Sequence, residues 1–489
     1  MKMKNIRFGF LPALFRVSWI AFSLPAAHAT LQSDLNQLIR NDAPSQSQWS
    51  MLVEDLDTGK TLYSLNPDYG LIPASNMKIL VCAAALLRLG PDYTYATTLY
   101  KSGEQNGSTL KGDLIVVGSG DPSIGGRFNN GNMTELFRQW AAVLKQKNLL
   151  SVTGDVIGVD DIFDDIRHGL NWHPDDFNEW YAAEVSGLTL NDACIDLMVQ
   201  GAAKASQPAT IRTNPPTHYL EIQNDVRTTT AGRNGESVRI EREPDSRDVI
   251  VHGSVPPKRE SIRYTPVPNP TLYFTTVLKE TLESEGITIK GVPRDADDGK
   301  AIPDKKNRDL LHTYHSPPLA RLVEVCLKNS QNLYAEHFLK TVGAVEYGVG
   351  SLTTGSLAVK DVLFENGCDI DNQYIADGSG LSRENRISAH VFVRTLRAVL
   401  KSAYAQYFID GLPNAGVDGT LKFRMRNTNA YSNVIAKTGT LNGVRALSGF
   451  IHAESDKTYV FSIIANGPHA APRFTQIMDD ICDLISSQG

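Results

Sequence analysis

Cysteine is scarce in this chain of 489 residues, and the few thiols are widely scattered. The five cysteines are Cys82, Cys194, Cys326, Cys368 and Cys482. No two of them have the spacing of metal ligands, and five thiols are too few for a disulfide-stabilised scaffold. Cys82 and Cys326 lie in apolar helical stretches, so we predict that both are buried thiols.

The chain also lacks an excess of positive charge. It has 48 Lys and Arg residues against 54 Asp and Glu, which gives a formal net charge of −6 and argues against a general nucleic-acid binder. With 42% hydrophobic and 21% charged residues, it is not disordered, collagenous or a coiled coil. Its length predicts about three domains, or two with a large insertion.

Long apolar runs are missing after the start of the chain. Residues 1–29 combine a basic start (Lys2, Lys4, Arg7), an apolar stretch interrupted by Arg16, and the small-x-small sequence Ala27-His28-Ala29. This layout predicts a cleaved secretory signal peptide, with a buried first helix as the alternative. Its removal would take away four positive charges and change the net charge from −6 to −10. No later stretch could span a bilayer, so we expect at most peripheral membrane association.

The pattern along the chain predicts a discontinuous α/β domain. A hairpin within 50–65 and a helix over 76–89, apolar on nearly every face, come first. Strand-like runs punctuated by turn residues follow, among them four between 218 and 264. Helices return at 318–328 and 332–342, and the chain ends as strand, turn, strand, helix. We therefore predict a β-rich insertion of about 200 residues.

The first candidate for chemistry is Ser75-Asn76-Met77-Lys78, at the start of the buried helix. Residues three apart share a helix face, so the Lys78 amine should lie beside the Ser75 hydroxyl and could act as its base. The alternative is a helix cap beside a surface lysine. A second instance, Ser108 to Lys111, follows the turn signal Asn106-Gly107, and we predict that it is solvated surface.

Two further tripeptides complete a set. Ser330-Gln331-Asn332 lies between two helices, where a hydroxyl could pass a proton and an amide could hold a carbonyl; a capped helix start is the alternative. Lys437-Thr438-Gly439 lies on a probable strand, where Lys and Thr could bind a carboxylate and Gly would let a substrate backbone lie close. In this order, the three are the motif set of the penicillin-recognising serine enzymes.

On these motifs the chain resembles the low-molecular-mass class C penicillin-binding proteins, the family of D-alanyl-D-alanine carboxypeptidase/endopeptidases. The segments 112–122, 377–383 and 416–421 add to the resemblance, which covers the whole mature chain. It implies an α/β fold with a transpeptidase-like (serine β-lactamase-like) domain that is discontinuous and carries inserted β-rich domains. We predict its two parts at 30–97 and 298–489, with the insertion at 98–297 and a nested unit at roughly 117–197.

The resemblance also implies an activity and a set of roles. Ser75 would attack a D-alanyl peptide bond of peptidoglycan, with Lys78 as base and its pKa lowered by repulsion from Lys437. Ser330 would relay a proton, and Asn332 would hold the substrate and help to place Lys78. Lys437 and Thr438 would bind the terminal carboxylate, and Gly439 would let the substrate backbone lie against the strand. Thr440 would complete the oxyanion site. Penicillin and other β-lactams would be acylating inhibitors, and the location would be the periplasm.

A cross-link residue carries an amine and a carboxylate, for which Asp160, Asp161 and Arg383 are our candidate ligands. Solvated loop charges are the alternative for the two aspartates. No cofactor or metal is expected: there is no His-Glu-x-x-His helix, and His312-x-x-His315 lacks a third ligand and predicts a surface loop. Two rivals remain, a β-lactamase or esterase on the same scaffold and a non-catalytic wall-binding protein.

Overall fold

The structure is a computed structural model that describes residues 24–230, 235–467 and 471–489. Most of the predicted signal peptide, residues 1–23, lies outside the described residues. Helix α1 (Leu24–Asp42) begins before the predicted cleavage site. No described helix is long and apolar enough to cross a membrane.

The remaining helices include those predicted at 76–89, 318–328, 332–342 and the end of the chain, together with others that the sequence pattern did not predict. They are α2 (Met77–Leu89), α3 (Glu135–Gln146), α4 (Pro270–Ser284), α5 (Leu319–Lys328), α6 (Asn332–Tyr347), α7 (Leu352–Glu365), α8 (Ala389–Lys401), α9 (Ala405–Gly411) and α10 (Ala471–Gln488). The strands are β1 (Gln48–Asp55), β2 (Thr61–Leu65), β3 (Ala96–Asn106), β4 (Thr109–Val117), β5 (Ser151–Val152), β6 (Val156–Val159), β7 (Cys194–Gln200), β8 (Thr210–Asn214), β9 (Glu221–Thr228), β10 (Arg239–Glu241), β11 (Asp248–Val255), β12 (Glu260–Pro266), β13 (Thr288–Ile289), β14 (Pro293–Asp295), β15 (Arg308–His315), β16 (Val434–Leu441), β17 (Val444–His452) and β18 (Thr458–Asn466).

Strands from both ends of the chain build one antiparallel sheet, in the order β16-β17-β18-β1-β2. The central strand β18 is buried at almost every position, because helices cover both faces of the sheet. Helices α1 and α10 pack on one face. Helix α2 lies on the other side within a core shared with α5, α6, α7 and α8, which explains its apolar residues on every face.

The insertion leaves and re-enters this domain through two paired strands. β3 and β15 are antiparallel neighbours in a second sheet of order β13-β5-β4-β3-β15, to which β6 and β14 also belong. This pairing favours a return to the first domain near residue 316 rather than 298. It also places His312 on β15, where it bonds to Trp140; the predicted surface loop there is wrong.

The predicted nested unit at 117–197 does not coincide with a separate sheet. Strands β5 and β6, inside that range, pair with β4 of the insertion sheet. Strands β7 to β12 instead form two three-stranded sheets, β12-β7-β8 and β10-β11-β9. We propose that the nested unit is the segment 194–266, which these two sheets occupy.

Candidate active site

The nucleophile candidate lies at the junction of a 3-10 turn, Ala74–Asn76, and helix α2. Ala74 has a left-handed backbone (φ 47°), a conformation that costs energy in a residue with a side chain. Ser75 keeps part of its surface exposed, whereas Lys78 is fully buried below it. The Lys78 Nζ atom lies 3.0 Å from Ser75 Oγ, as the spacing of three residues predicts.

The Lys78 amine has two further hydrogen-bond partners. It donates to Asn332 Oδ1 at 2.7 Å and to the main-chain carbonyl of Ser379 at 2.6 Å. A neutral amine has two N–H groups and one lone pair. With both N–H groups held by these two oxygens, the lone pair of a neutral Lys78 is directed at the Ser75 hydroxyl, the geometry that a general base requires.

Burial lowers the pKa of the Lys78 amine, against the opposing effect of nearby Cys326 and Asp377. Burial is therefore a larger cause of this shift than the repulsion from Lys437 that we predicted. The shift at Lys437 is the stronger of the two: burial, with repulsion from Lys78 in addition, lowers its pKa well below the usual range.

A hydrogen bond joins the second motif, at 330–332, to the third, at 437–439. Lys437 Nζ on β16 donates to Ser330 Oγ at 2.9 Å and to the Thr438 carbonyl at 2.8 Å. Ser330 joins α5 to α6 with a left-handed backbone (φ 60°). The three motifs, at 75–78, 330–332 and 437–439, are thus connected through two buried lysines.

The edge of β16 lies directly against the turn that carries Ser75. A Cβ atom on Gly439 would lie only 2.5 Å from the Pro73 carbonyl, so only glycine fits there. The next residue, Thr440, is exposed. Thr438 donates from its hydroxyl to that of Thr420 at 2.7 Å, which adds a residue that we did not predict.

The loop at 377–385 supplies the carbonyl that holds Lys78. Buried Asp377 accepts hydrogen bonds from the backbone of Gly380 and Ser382, and buried Glu336 accepts them from the backbone of Gly378 and Ser379. Burial raises the pKa of Glu336. The sequence analysis included this loop in the resemblance but assigned no role to Ser379, because its functional atom is a main-chain oxygen.

The insertion also reaches the site, through three contacts. The Tyr181 carbonyl accepts from Asn332 Nδ2 at 2.7 Å, and Trp172 Nε1 donates to Asp377 Oδ2 at 2.8 Å. Gln331 donates to Asp192 at 2.7 Å. Both acceptors of the Lys78 amine are therefore supported from the insertion, one through Asn332 and the other through the loop of Asp377.

The three candidate ligands for the cross-link residue lie in different surroundings. Arg383 is exposed and donates to the carbonyl of Asn442, just beyond the end of β16. Asp161 is exposed. Asp160 is buried and accepts from Ser186 and Thr271, both in the insertion, so its carboxylate is occupied by structural hydrogen bonds.

Asp160 also belongs to the one group of carboxylates, among the described residues, with the spacing to hold a cation. Its oxygens and those of Asp295 and Asp297 lie within 4.8 Å of one another. Arg167 and Asn269 already bind Asp295, at 3.2 and 2.9 Å. All five cysteines are buried free thiols, as predicted for Cys82 and Cys326.

Known proteins share both the sequence and the fold. Residues 31–488 match the D-Ala-D-Ala carboxypeptidase 3 (S13) family. The D-alanyl-D-alanine carboxypeptidase of Actinomadura sp. strain R39 is 31% identical over 463 residues, which cover 92% of this chain and 83% of that protein.

Penicillin binding protein 4 (dacB) from Haemophilus influenzae has the same fold, with a TM-score of 0.78 and 22% identity. The match covers 92% of this chain and 98% of that chain. A second structure of that protein, complexed with a β-lactam, has a TM-score of 0.74 at 21% identity, with coverage of 93% and 99%. With its three motifs joined in one cleft, the chain belongs to the D-Ala-D-Ala carboxypeptidase 3 (S13) family of serine peptidases.

Proposed function

We propose that this protein is a serine D-alanyl-D-alanine carboxypeptidase and D,D-endopeptidase that acts on peptidoglycan peptides through an acyl-enzyme at Ser75. One observation carries the proposal: the buried Lys78 amine lies 3.0 Å from Ser75 Oγ while Asn332 and the Ser379 carbonyl hold its other hydrogen bonds. A serine becomes nucleophilic only when such a base can take its proton.

In the acylation step, Ser75 Oγ attacks the carbonyl carbon of a D-alanine residue, and the hydroxyl proton of Ser75 passes to Lys78 Nζ. The carbonyl oxygen becomes an oxyanion, which accepts hydrogen bonds from the backbone N–H groups of Ser75 and Thr440. The C–N bond then breaks as Ser330 relays the proton held by Lys78 to the departing amine, which returns Lys78 to its neutral form. Water hydrolyses the ester, and Ser75 regains its proton.

The substrate carboxylate would lie at the β16 edge. Thr438 and Thr420 offer hydroxyls there, and Lys437 lies directly behind Ser330. An incoming carboxylate favours the charged form of a nearby amine, so substrate binding would raise the lowered pKa of Lys437. The leaving group distinguishes the two activities, since it is D-alanine for the carboxypeptidase and the side-chain amine of a cross-linked residue for the endopeptidase.

β-Lactams would acylate Ser75 through the same geometry, because their strained amide places a carbonyl and a carboxylate at comparable positions. The complex of the Haemophilus influenzae protein with a β-lactam supports this part of the proposal. Peptidoglycan lies outside the cytoplasm, so the predicted signal peptide supports a periplasmic location.

The test uses the purified protein, a fluorescent penicillin and mass spectrometry of the labelled peptide. We expect one label at Ser75, its loss in Ser75→Ala, and full labelling in the control Ser108→Ala, which alters the second Ser-x-x-Lys sequence. Labelling that survives Ser75→Ala would falsify the proposal. Digestion of purified cross-linked muropeptides then measures the two activities, and rapid turnover of nitrocefin would instead indicate a β-lactamase.

A further inference from the structure

A cleft of about 470 Å³ adjoins the second motif, outside the residues assigned to catalysis above. The segment 123–127 and residues Asn191 and Asp192 of the insertion form one side, together with Trp180 and Tyr264. Asn329 and Gln331 of the α5–α6 junction, on either side of Ser330, form the other. A ligand in this cleft would therefore lie next to the peptide that Ser75 attacks.

Two hydrogen bonds join the cleft wall to the active site. Asp192 accepts from Gln331, and the carbonyl of Tyr181, the residue after Trp180, accepts from Asn332. The cleft and the catalytic groups thus have a fixed relative position. A substrate large enough to fill the cleft and reach Ser75 would be held with its scissile bond positioned for attack.

The chemistry of the lining favours a neutral, polar ligand with an apolar face. Trp180 and Tyr264 are large rings that remain 42% and 53% exposed, and exposed aromatic rings can stack on flat apolar surfaces. Arg127 is neutralised by Asp192 at 2.6 Å, which leaves the Asp196 carboxylate as the remaining charge of the lining. An anionic peptide would be repelled by that carboxylate, whereas an uncharged sugar would not.

The backbone of the wall is also unusual. Asn191, Asp192 and Ala193 are three successive residues with left-handed φ angles of 51°, 54° and 55°. Left-handed backbone conformations are unfavourable in residues that carry a side chain and are retained mainly where they shape a functional surface. Here the strained turn directs Asp192 towards Gln331 and lines the cleft with Asn191.

We propose that this cleft is a saccharide subsite that binds the N-acetylated disaccharide of the glycan strand to which the substrate peptide is attached. In that strand, the muramic acid carboxyl forms an amide with the peptide, so the sugar is neutral, as the lining requires. The inference rests on the proposed function, because the peptide of the same substrate must reach Ser75.

Two substrates test it, an N-acetylated pentapeptide ending in D-Ala-D-Ala and the same pentapeptide attached to its disaccharide. We expect the disaccharide to raise kcat/KM by about tenfold, mainly through KM, because it adds binding energy outside the reacting bond. The ratio of kcat/KM with the disaccharide to kcat/KM without it should fall close to one in Trp180→Ala and in Tyr264→Ala. Tyr407→Ala, a matched change of an exposed tyrosine on α9, should keep the ratio of the wild-type protein.

Direct binding gives an independent measurement. Calorimetric titration of the wild-type protein with a tetramer of N-acetylglucosamine should show saturable binding, which Trp180→Ala abolishes. A kcat/KM ratio of one in the wild-type protein, or a ratio that Trp180→Ala leaves unchanged, overturns the saccharide subsite. Penicillin labelling of Ser75 separates the two proposals: intact labelling with a ratio of one removes the subsite alone, whereas absent labelling removes the proposed function.

Discussion

The catalytic domain and the insertion contribute to the same site in different ways. The catalytic domain supplies side chains whose chemistry is fixed by residue type, such as the Ser75 hydroxyl and the Lys78 and Lys437 amines. The insertion supplies support: the Tyr181 carbonyl holds Asn332, and the Trp172 indole holds Asp377. The difference shows that a region can be part of an active site without carrying one of its motifs.

The largest effect is expected from Lys78→Met, which keeps the length of the side chain and removes the base. Acylation by penicillin should fall by about a hundredfold to ten-thousandfold, the range for loss of a general base. Lys111→Met, in the second Ser-x-x-Lys sequence, is the matched control and should acylate at the wild-type rate. Stopped-flow fluorescence measures both rates. Equal acylation rates in the two variants would show that Lys78 matters no more for acylation than the surface residue Lys111.

The next prediction concerns the pH dependence of acylation. The lysine amines of the catalytic domain titrate, whereas the Tyr181 carbonyl and the Trp172 indole of the insertion do not. The pKa of Lys78 is lowered, and the neutral amine is the active form. Acylation should therefore be lost as pH falls through that lowered pKa, by about tenfold per pH unit, and should be retained above it. A rate that stays constant from neutral to acidic pH would show that Lys78 is not the base.

A smaller effect is expected from Trp172→Phe, which keeps an aromatic ring at this buried position and removes the indole N–H that donates to Asp377. A buried acceptor that loses a donor costs about 1–3 kcal/mol, and the loop that holds Lys78 would loosen. Acylation should fall by about tenfold or less. Trp49→Phe is the control, since Trp49 is equally buried and its indole donates to Ser47, in the N-terminal part of the catalytic domain. If both variants acylate alike, the insertion does not support the base.

The smallest effect is expected from Arg383→Ala, at the exposed end of the β16 edge. A tripeptide ending in D-Ala-D-Ala with diaminopimelate in third position should lose a few-fold in kcat/KM, while the lysine analogue should not, because only diaminopimelate carries the additional carboxylate. Asp161→Ala serves as the comparison on the insertion side. Equal losses on both peptides would remove Arg383 as a ligand of the cross-link residue.

The sequence predicted the motif residues because their chemistry requires particular side chains at short, fixed spacings. The helix at 77–89 placed Lys78 beside Ser75, and the late strand placed Lys437 near Ser330. The carbonyls of Ser379 and Tyr181 were missed, because any residue type can supply a main-chain oxygen.

The nested unit predicted at 117–197 differs from the one that we propose at 194–266 for a different reason. Strands β5 and β6 are only two and four residues long, and they pair in parallel with β4, a contact that leaves no turn signal in the sequence. The four strand-like runs predicted between 218 and 264 are present as β9 to β12.

A crystal structure of the protein acylated by penicillin tests the central claim, that the three motifs form one reacting centre. We predict a covalent bond from Ser75 Oγ to the opened lactam, with its carbonyl oxygen bound by the backbone N–H groups of Ser75 and Thr440 and its carboxylate at Thr438. An adduct on another residue, or one whose carbonyl oxygen points away from Thr440, would contradict the account.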